Sequence, residues 1–465
     1  MFIKTPKMAS RTPGLLFRSL KGRLYGTAAA AAESSEGASL VKQPARVTKL
    51  DNGLTIASIE NCSPVSQVAV LVNAGSRFES RQDIGVTHML RTGTGLTTKN
   101  MSDISLLKTV QQAGATLGCT GTREYLIYNV EALRNEIFKT PMDGLNEIIV
   151  NPDFRNWELQ FGDIRNHLRV QLADLKEQPQ VRLMEMIHEA AFRDQLGRSL
   201  YTQPQFIDQF NQEQLLAYHN KYFTLDRMAL VGVGVSHEDL VAEGKTFSLG
   251  KGQNLSTEKA VYHGGEIRCS SGEDMTHAAI VTEGPSLRNK DLFAVCVLQQ
   301  IMGSGPFVKY GENSQSKLGK AVGEVIPDNA FATSSISANY TDSGLFGFYL
   351  CATPADMEKG LRAATNAFAS VTKSGVTDEE VARGKNLLKS AIAMNLEQSA
   401  DVLQDLAEQA FGSEKINSTE DLIKAVDAVQ TSDVSTVAKK IINGKTSMAS
   451  LGNLQSVPYL DELSK

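Results

Sequence analysis

His88, Arg91 and Thr92 stand in the stretch Gly85-Val86-Thr87-His88-Met89-Leu90-Arg91-Thr92-Gly93, at the spacing of the inverted zinc-hydrolase motif His-x-x-Glu-His. A hydrolytic zinc site needs three neutral or anionic protein ligands, an open position for water and a carboxylate to take the water's proton. Residues four apart on a helix share a face, so the motif brings ligands and base together. Here the base position holds Arg91 and the second ligand position holds Thr92. A guanidinium keeps its proton at physiological pH and its charge opposes a divalent cation, while a threonine hydroxyl is a poor zinc ligand. One histidine does not hold zinc. The spacing therefore predicts a degenerate site, with His88 an ordinary helix residue.

Other candidate constellations fail in similar ways. His188-Glu189-Ala190-Ala191-Phe192 has the zincin spacing with phenylalanine in place of the second histidine, and Glu185-x-x-His188 is a di-iron half-site without a second copy. Both are predicted to be helix-surface positions. Gly232-Val233-Gly234 and Gly303-Ser304-Gly305 lack the third glycine and the strand–turn–helix setting of a dinucleotide loop, and no Walker lysine follows a glycine run. His237 is predicted to open a helix capped by Ser236, and the solitary Trp157 to be packed or at an interface. Cys62, Cys119, Cys269, Cys296 and Cys351 form no Cys-x-x-Cys pair. Each is predicted to be a small buried apolar residue in a reducing compartment. No catalytic residue, metal ligand or cofactor is predicted.

The elements that must carry these residues can be read from pattern. A length of 465 residues suggests two or three domains, and 42% hydrophobic with 21% charged residues describes a soluble globular chain. No apolar run approaches the roughly 18–20 residues that span a bilayer. Asp51-Asn52-Gly53 between alternating apolar segments predicts a hairpin. Further strands are predicted over 66–76, 116–129 and 228–235, the last covered on both faces. Helices are predicted over 83–90, 101–113, 135–150 and 213–222. A long helical region is expected over 157–191, broken or kinked at Pro179.

The second half repeats this grammar. Residues 187–192, IHEAAF, reappear as LAEQAF at 406–411, an offset of 219; 228–232, MALVG, reappear as MASLG at 448–452, an offset of 220. Two landmarks repeating at nearly one offset point to a duplicated α+β chain. The first 32 residues differ from both halves: they hold Lys4, Lys7, Arg11, Arg18, Lys21 and Arg23, with no acid before Glu33. A basic, acid-free amphipathic leader has the composition of a mitochondrial presequence. Without those six cations, 41 Lys and Arg face 52 Asp and Glu, a balance that argues against nucleic acid as a partner.

The chain after its leader resembles the pitrilysin-like metallopeptidases, a family that also contains the mitochondrial processing peptidases and the core proteins of respiratory complex III. The resemblance rests on DNGLTIAS (51–58), NAGSRFE (73–79), GVTHMLRTGTGLTTK (85–99), GATLG (114–118) and RMALVGVGVSH (227–237). It looks strongest toward the core-protein branch, through MGSGPFVKYG (302–311), YTDSGLFGFY (340–349) and MASLGNLQSVPYLDEL (448–463). Carried over, the family's first zinc histidine falls on His88, its base on Arg91 and its second histidine on Thr92. Its glutamate ligand falls on Arg169 counting forward from Thr92, or on Gln171 aligning back from His188. No carboxylate lies between Ile164 and Ala173, so that ligand is absent either way. An asparagine preceding the family's substrate-binding strand is replaced by Gly118.

From the resemblance follow a fold, a function and a set of partners. The fold is α+β, with two homologous α/β sandwich domains of the pitrilysin type, residues 40–246 and 261–465, joined by a linker 247–260 and enclosing a cavity. Residues 1–36 are presequence and linker, with cleavage near Tyr25. The function is that of a non-catalytic structural subunit of mitochondrial ubiquinol–cytochrome c reductase, on the matrix side of the inner membrane. Implied partners are core protein 1, cytochrome b, cytochrome c1 and the Rieske protein in a dimeric complex, with membrane association only through them. The alternatives are an α-type subunit of the processing peptidase, or residual presequence processing together with core protein 1. The α-type subunit carries a long glycine-rich loop, whereas 303–318 here has only three glycines and includes Pro306, Phe307 and Tyr310.

Overall fold

Asp51-Asn52-Gly53 makes its turn: Gly53 takes a φ of 102°, and the Asn52 side chain accepts a hydrogen bond from the Leu54 amide at 3.0 Å. Strand β1 (Gln43–Lys49) thereby folds back antiparallel on β2 (Thr55–Glu60). The computed structural model describes residues 43–463 apart from 251, 253–257, 305–306, 309–315, 413–415 and 443. The predicted leader, part of the predicted linker and most of the segment 305–315 lie outside the described residues.

The first sheet continues with β3 (Val65–Val72), β4 (Thr116–Gly121), β5 (Leu126–Leu133) and β6 (Met228–Val233), in the order β1-β2-β6-β3-β5-β4. The predicted strand over 116–129 is thus two strands joined by the turn Thr122–Tyr125. The second sheet has β7 (Gly265–Ser270), β8 (Thr276–Gly284), β9 (Phe307–Val308), β10 (Phe331–Asn339), β11 (Gly344–Ala352) and β12 (Thr446–Gly452), ordered β7-β12-β8-β11-β10-β9. Matching β2, β6, β3, β5 and β4 with β7, β12, β8, β11 and β10 reproduces order and direction alike, including one parallel pair in each sheet (β2 with β6, β7 with β12). The repeat read from sequence is a repeat of topology. The positive-φ glycines ending β6 and β12, Gly234 and Gly452, are 218 apart, two fewer than the 220 of the sequence match. Two residues are one pleat, so the same faces still correspond.

Each sheet has two apolar faces, and different chain segments cover them. Val68, Val70, Val72, Tyr128 and Leu230 point into a core made with helices of their own half, as do Ile280, Phe348 and Met448 in the second. The opposite faces are exchanged. Leu183, Ile187, Ala191 and Phe192, on the helix Pro179–Phe192, pack on Ala279, Val281, Leu345 and Ala449 of the second sheet. Leu403, Leu406, Ala407 and Ala410, on the helix Ser399–Gly412, pack on Ala57, Ala69, Ala229 and Val231 of the first. These two helices carry the IHEAAF and LAEQAF repeats.

The hairpin turns closing β4–β5 and β10–β11 meet between the halves. They are alike: Thr122 N–H bonds Tyr125 O at 2.8 Å, and Tyr340 N–H bonds Ser343 O at 2.9 Å. Between them Arg77, with its side chain almost wholly buried, donates to Glu124 at 2.6 Å and to both oxygens of Asp342 at 3.1 and 2.7 Å. Glu124 also accepts from the Thr341 N–H and hydroxyl at 3.1 and 2.5 Å. Burial opposes the Asp342 charge, yet hydrogen bonds from Arg77 and the Ala260 N–H hold its carboxyl below the usual range. A buried charge survives when every partner is present.

Several expectations need correction. The helical region 157–191 is three helices, Asn156–Phe161, Ile164–Lys176 and Pro179–Phe192. Pro179 opens the last of them, at a position where no amide donor is required. His188 and Glu185 are not helix-surface residues. His188 is 1% exposed; its Nδ1–H donates to Met184 O at 2.6 Å, and its Nε2 accepts from the Tyr340 hydroxyl of the other half at 2.7 Å. Glu185 pairs with Arg123 at 2.9 Å. Trp157 is 56% exposed rather than packed within this chain. Of the five cysteines only Cys351 is buried, the others being half-buried. His237 opens its helix as expected, with Ser236 as cap, and both its ring nitrogens meet hydroxyls, of Thr48 and Ser58, at 2.8 Å. No helix among the described residues is long and apolar enough to cross a membrane.

Candidate functional site

The helix Val86–Thr92 is fixed from its amino end. Gly85 takes a φ of 84°, and a Cβ there would come within 2.2 Å of the Thr202 hydroxyl, so only glycine fits. Glu79, which sequence reasoning did not single out, caps the helix by accepting from the Gly85 and Thr87 amides at 2.9 Å each and from the Thr87 hydroxyl at 2.6 Å. Burial pushes the Glu79 carboxyl up to about 7 despite those donors.

His88 is held at both nitrogens. Nδ1 accepts the Thr202 amide at 3.1 Å, which leaves the proton on Nε2, and Nε2 donates to Gln171 Oε1 at 2.6 Å. Burial, and then the nearby Arg91 charge, lowers its pKa to about 4. Thr92 Oγ1 lies 2.9 Å from the His88 carbonyl and 3.2 Å from Gln171 Oε1. Arg91 donates from Nη2 to Leu200 O at 3.3 Å and lies 5.5 Å over the Tyr201 ring. The structure therefore gathers His88, Arg91, Thr92 and Gln171 in one place. Arg169 points elsewhere, to Asp208 at 2.7 Å. Of the two positions for the missing glutamate, Gln171 is the one in contact.

This donor set does not fit a divalent metal. It offers one imidazole with both nitrogens engaged, a fixed cation, a hydroxyl and a carboxamide. Zinc asks instead for three imidazole, thiolate or carboxylate ligands. Among the described residues no group of three or more His, Cys, Asp or Glu side chains is arranged to hold a metal ion. Gly118, on β4, faces Asn129 across the ladder, and a Cβ at Gly118 would stand 3.2 Å from Asn129 Oδ1.

Sequence reasoning also missed the residues between the halves. A cleft of about 880 Å³ is lined there by Arg77, Phe78, Tyr125, Asp342, Glu408 and Phe411, with the Tyr125 and Phe411 rings stacked at 5.2 Å. Their one signal was the repeat itself, which places the turns 122–125 and 340–343 at equivalent positions.

Comparison with known proteins returns to the same quarter. Residues 55–203 match the insulinase family (peptidase family M16), and residues 209–388 match the peptidase M16 inactive domain. The mitochondrial cytochrome b-c1 complex subunit 2 proteins of Mus musculus and Homo sapiens are 36% identical over 428 residues, covering 92% of this chain and 94% of theirs. The mitochondrial-processing peptidase subunit alpha of Solanum tuberosum is 28% identical over 431 residues, covering 91% of this chain and 85% of its own.

Proposed function

The chain belongs to peptidase family M16, and from that premise we propose that it is a non-catalytic core subunit of mitochondrial ubiquinol–cytochrome c reductase, serving assembly in the respiratory chain. The observation that carries this is the 36% identity, over nearly the whole of both chains, with proteins named as subunit 2 of the cytochrome b-c1 complex, against 28% for a processing-peptidase alpha subunit. The chemistry around His88 agrees with it: without a general base or a second and third ligand there is no activated water, and peptide hydrolysis has no nucleophile. On this reading His88, Arg91, Thr92 and Gln171 are remnants, and the chain holds no catalytic residue, metal or cofactor of its own.

The finer picture follows from the same premise. The subunit lies on the matrix side of the inner membrane and pairs with core protein 1 in a dimeric complex. It neighbours cytochrome b, cytochrome c1 and the Rieske protein, and reaches the membrane only through such partners. Its two repeats are residues 40–246 and 261–465, joined by 247–260, a reading supported by the two sheets of the described residues, each of which draws its strands from one half. Purification from mitochondria tests the proposal. The chain should co-elute, in constant ratio, with b- and c-type haem absorbance. A soluble heterodimer that cleaves presequences and carries no haem absorbance would replace it with the α-type processing subunit.

A further inference from the structure

Beside Arg91 a groove of about 410 Å³ runs along β4, the outermost strand of the first sheet. Its electrostatics are the reverse of a metal site's. Arg91 engages one donor, with Leu200 O, and forms no ion pair among the described residues. Its Nη1 lies 3.4 Å from where a Cβ on Gly121 would stand, so the glycine leaves that side of the guanidinium open. Gln171 turns its carbonyl oxygen to His88 and Thr92, and its amide N–H donors have no partner among the described residues. The Tyr201 hydroxyl has none either. All three side chains line the groove. Asp174 also lines it, an exposed acid that makes no ion pair with Arg91.

We propose that this groove binds a carboxylate, received by the Arg91 guanidinium with the Gln171 amide and the Tyr201 hydroxyl as further donors. A half-buried guanidinium with open N–H groups is matched in shape and charge by a carboxylate, which it can grip through two parallel hydrogen bonds. A cation is repelled by the same group. The carboxylate belongs either to the C-terminus of a peptide or to a small free acid. Either source presents the same two oxygens. The inference rests on the geometry of the groove and holds whether or not the chain assembles into a respiratory complex.

Fluorescence anisotropy on the full-length protein tests it, with a fluorescein-labelled hexapeptide of alternating threonine and valine made as the C-terminal acid and as the C-terminal amide. The acid should bind about tenfold or more tighter than the amide, as expected for charge-assisted hydrogen bonds. Arg91→Gln should erase that difference, and Asp174→Asn should tighten the acid alone, by about two- to threefold through loss of a like charge at the rim. Displacement of the peptide by millimolar sodium acetate would identify a small free acid as the ligand; resistance to acetate would identify a peptide terminus, and both outcomes support a carboxylate site. Equal affinity for acid and amide overturns the proposal, as does a preference that survives Arg91→Gln. If Arg91→Gln does not fold, Asp174→Asn at its exposed position still decides, because a preference unmoved there also overturns it.

Discussion

The helix Val86–Thr92 and its counterpart Leu292–Met302 show how the two copies diverged. Each follows the strand, β3 or β8, that crosses the middle of its sheet. In the second copy Ala294, Val295, Val297, Leu298, Ile301 and Met302 are all buried, and the helix is a piece of core. In the first, Val86, Met89 and Leu90 are buried in the same manner, but a neutral histidine sits among them, tied to Thr202 and Gln171. One copy resolved its interior with hydrocarbon. The other kept a polar network in which every member is hydrogen-bonded, the condition under which buried polar groups are tolerated. The imidazole is satisfied without a metal, because Gln171 accepts from its Nε2 and the Thr202 amide donates to its Nδ1.

The largest effect should come from reversing that divergence. The pair of substitutions Arg91→Glu and Thr92→His should leave the protein zinc-free, while adding Gln171→Glu supplies the third ligand and should bring about one zinc per chain by elemental analysis. Zinc in the double variant would show that two histidines suffice here. Next in size is the seam between the copies. Arg77→Met leaves Glu124 and Asp342 buried without their cation, and denaturant melts should show a loss of about 3–5 kcal/mol.

Acid should weaken the fold. His88 and His219 have pKa values lowered to about 4, chiefly by burial, and both belong to the first half. A base with a depressed folded pKa adds stability that is complete above the unfolded value near 6.5 and is lost as pH falls toward 4. That loss is on the order of 3 kcal/mol per histidine. Glu79 acts in the opposite sense: its carboxyl, raised to about 7, weakens the fold above that pH and ceases to do so near 4.5. Glu79→Gln should therefore steepen the acid loss, read in denaturant melts between pH 7 and pH 5. The smallest effect is Gln171→Ala, which removes the His88 Nε2 acceptor at a half-open site and should lower stability by about 1 kcal/mol in the same melts.

Individual elements were legible wherever pattern was local. The Asp51-Asn52-Gly53 hairpin and the covered strand expected over 228–235, observed over Met228–Val233, followed from turn chemistry and an unbroken apolar run. The helix expected over 213–222 is observed over Gln212–Tyr222, and the repeat in the sequence pointed to a duplicated α+β chain. The motif spacing also located His88, Arg91 and Thr92 on one short helix. What it could not supply was Gln171 as their partner, since helix pairing depends on a tertiary approach that two sequence alignments placed two residues apart. His188 was misread for a related reason. Its helix looks amphipathic toward its own half, and only the reciprocal packing puts the imidazole under Tyr340. Arg77, Glu124 and Asp342 are far apart in sequence, and charged residues near turns are ordinarily solvated. Nothing local announces that two turns will bury one another.

The exchange of helices between the sheets has a consequence for how the molecule is made. A chain delivered amino end first presents the face formed by Ala57, Ala69 and Val231 with nothing to cover it until Leu403–Ala410 has followed. During that interval it exposes a broad apolar surface prone to self-association. By the same logic, severing the connector after synthesis should not release two independent proteins, because each fragment still grips the other by a helix it cannot use itself.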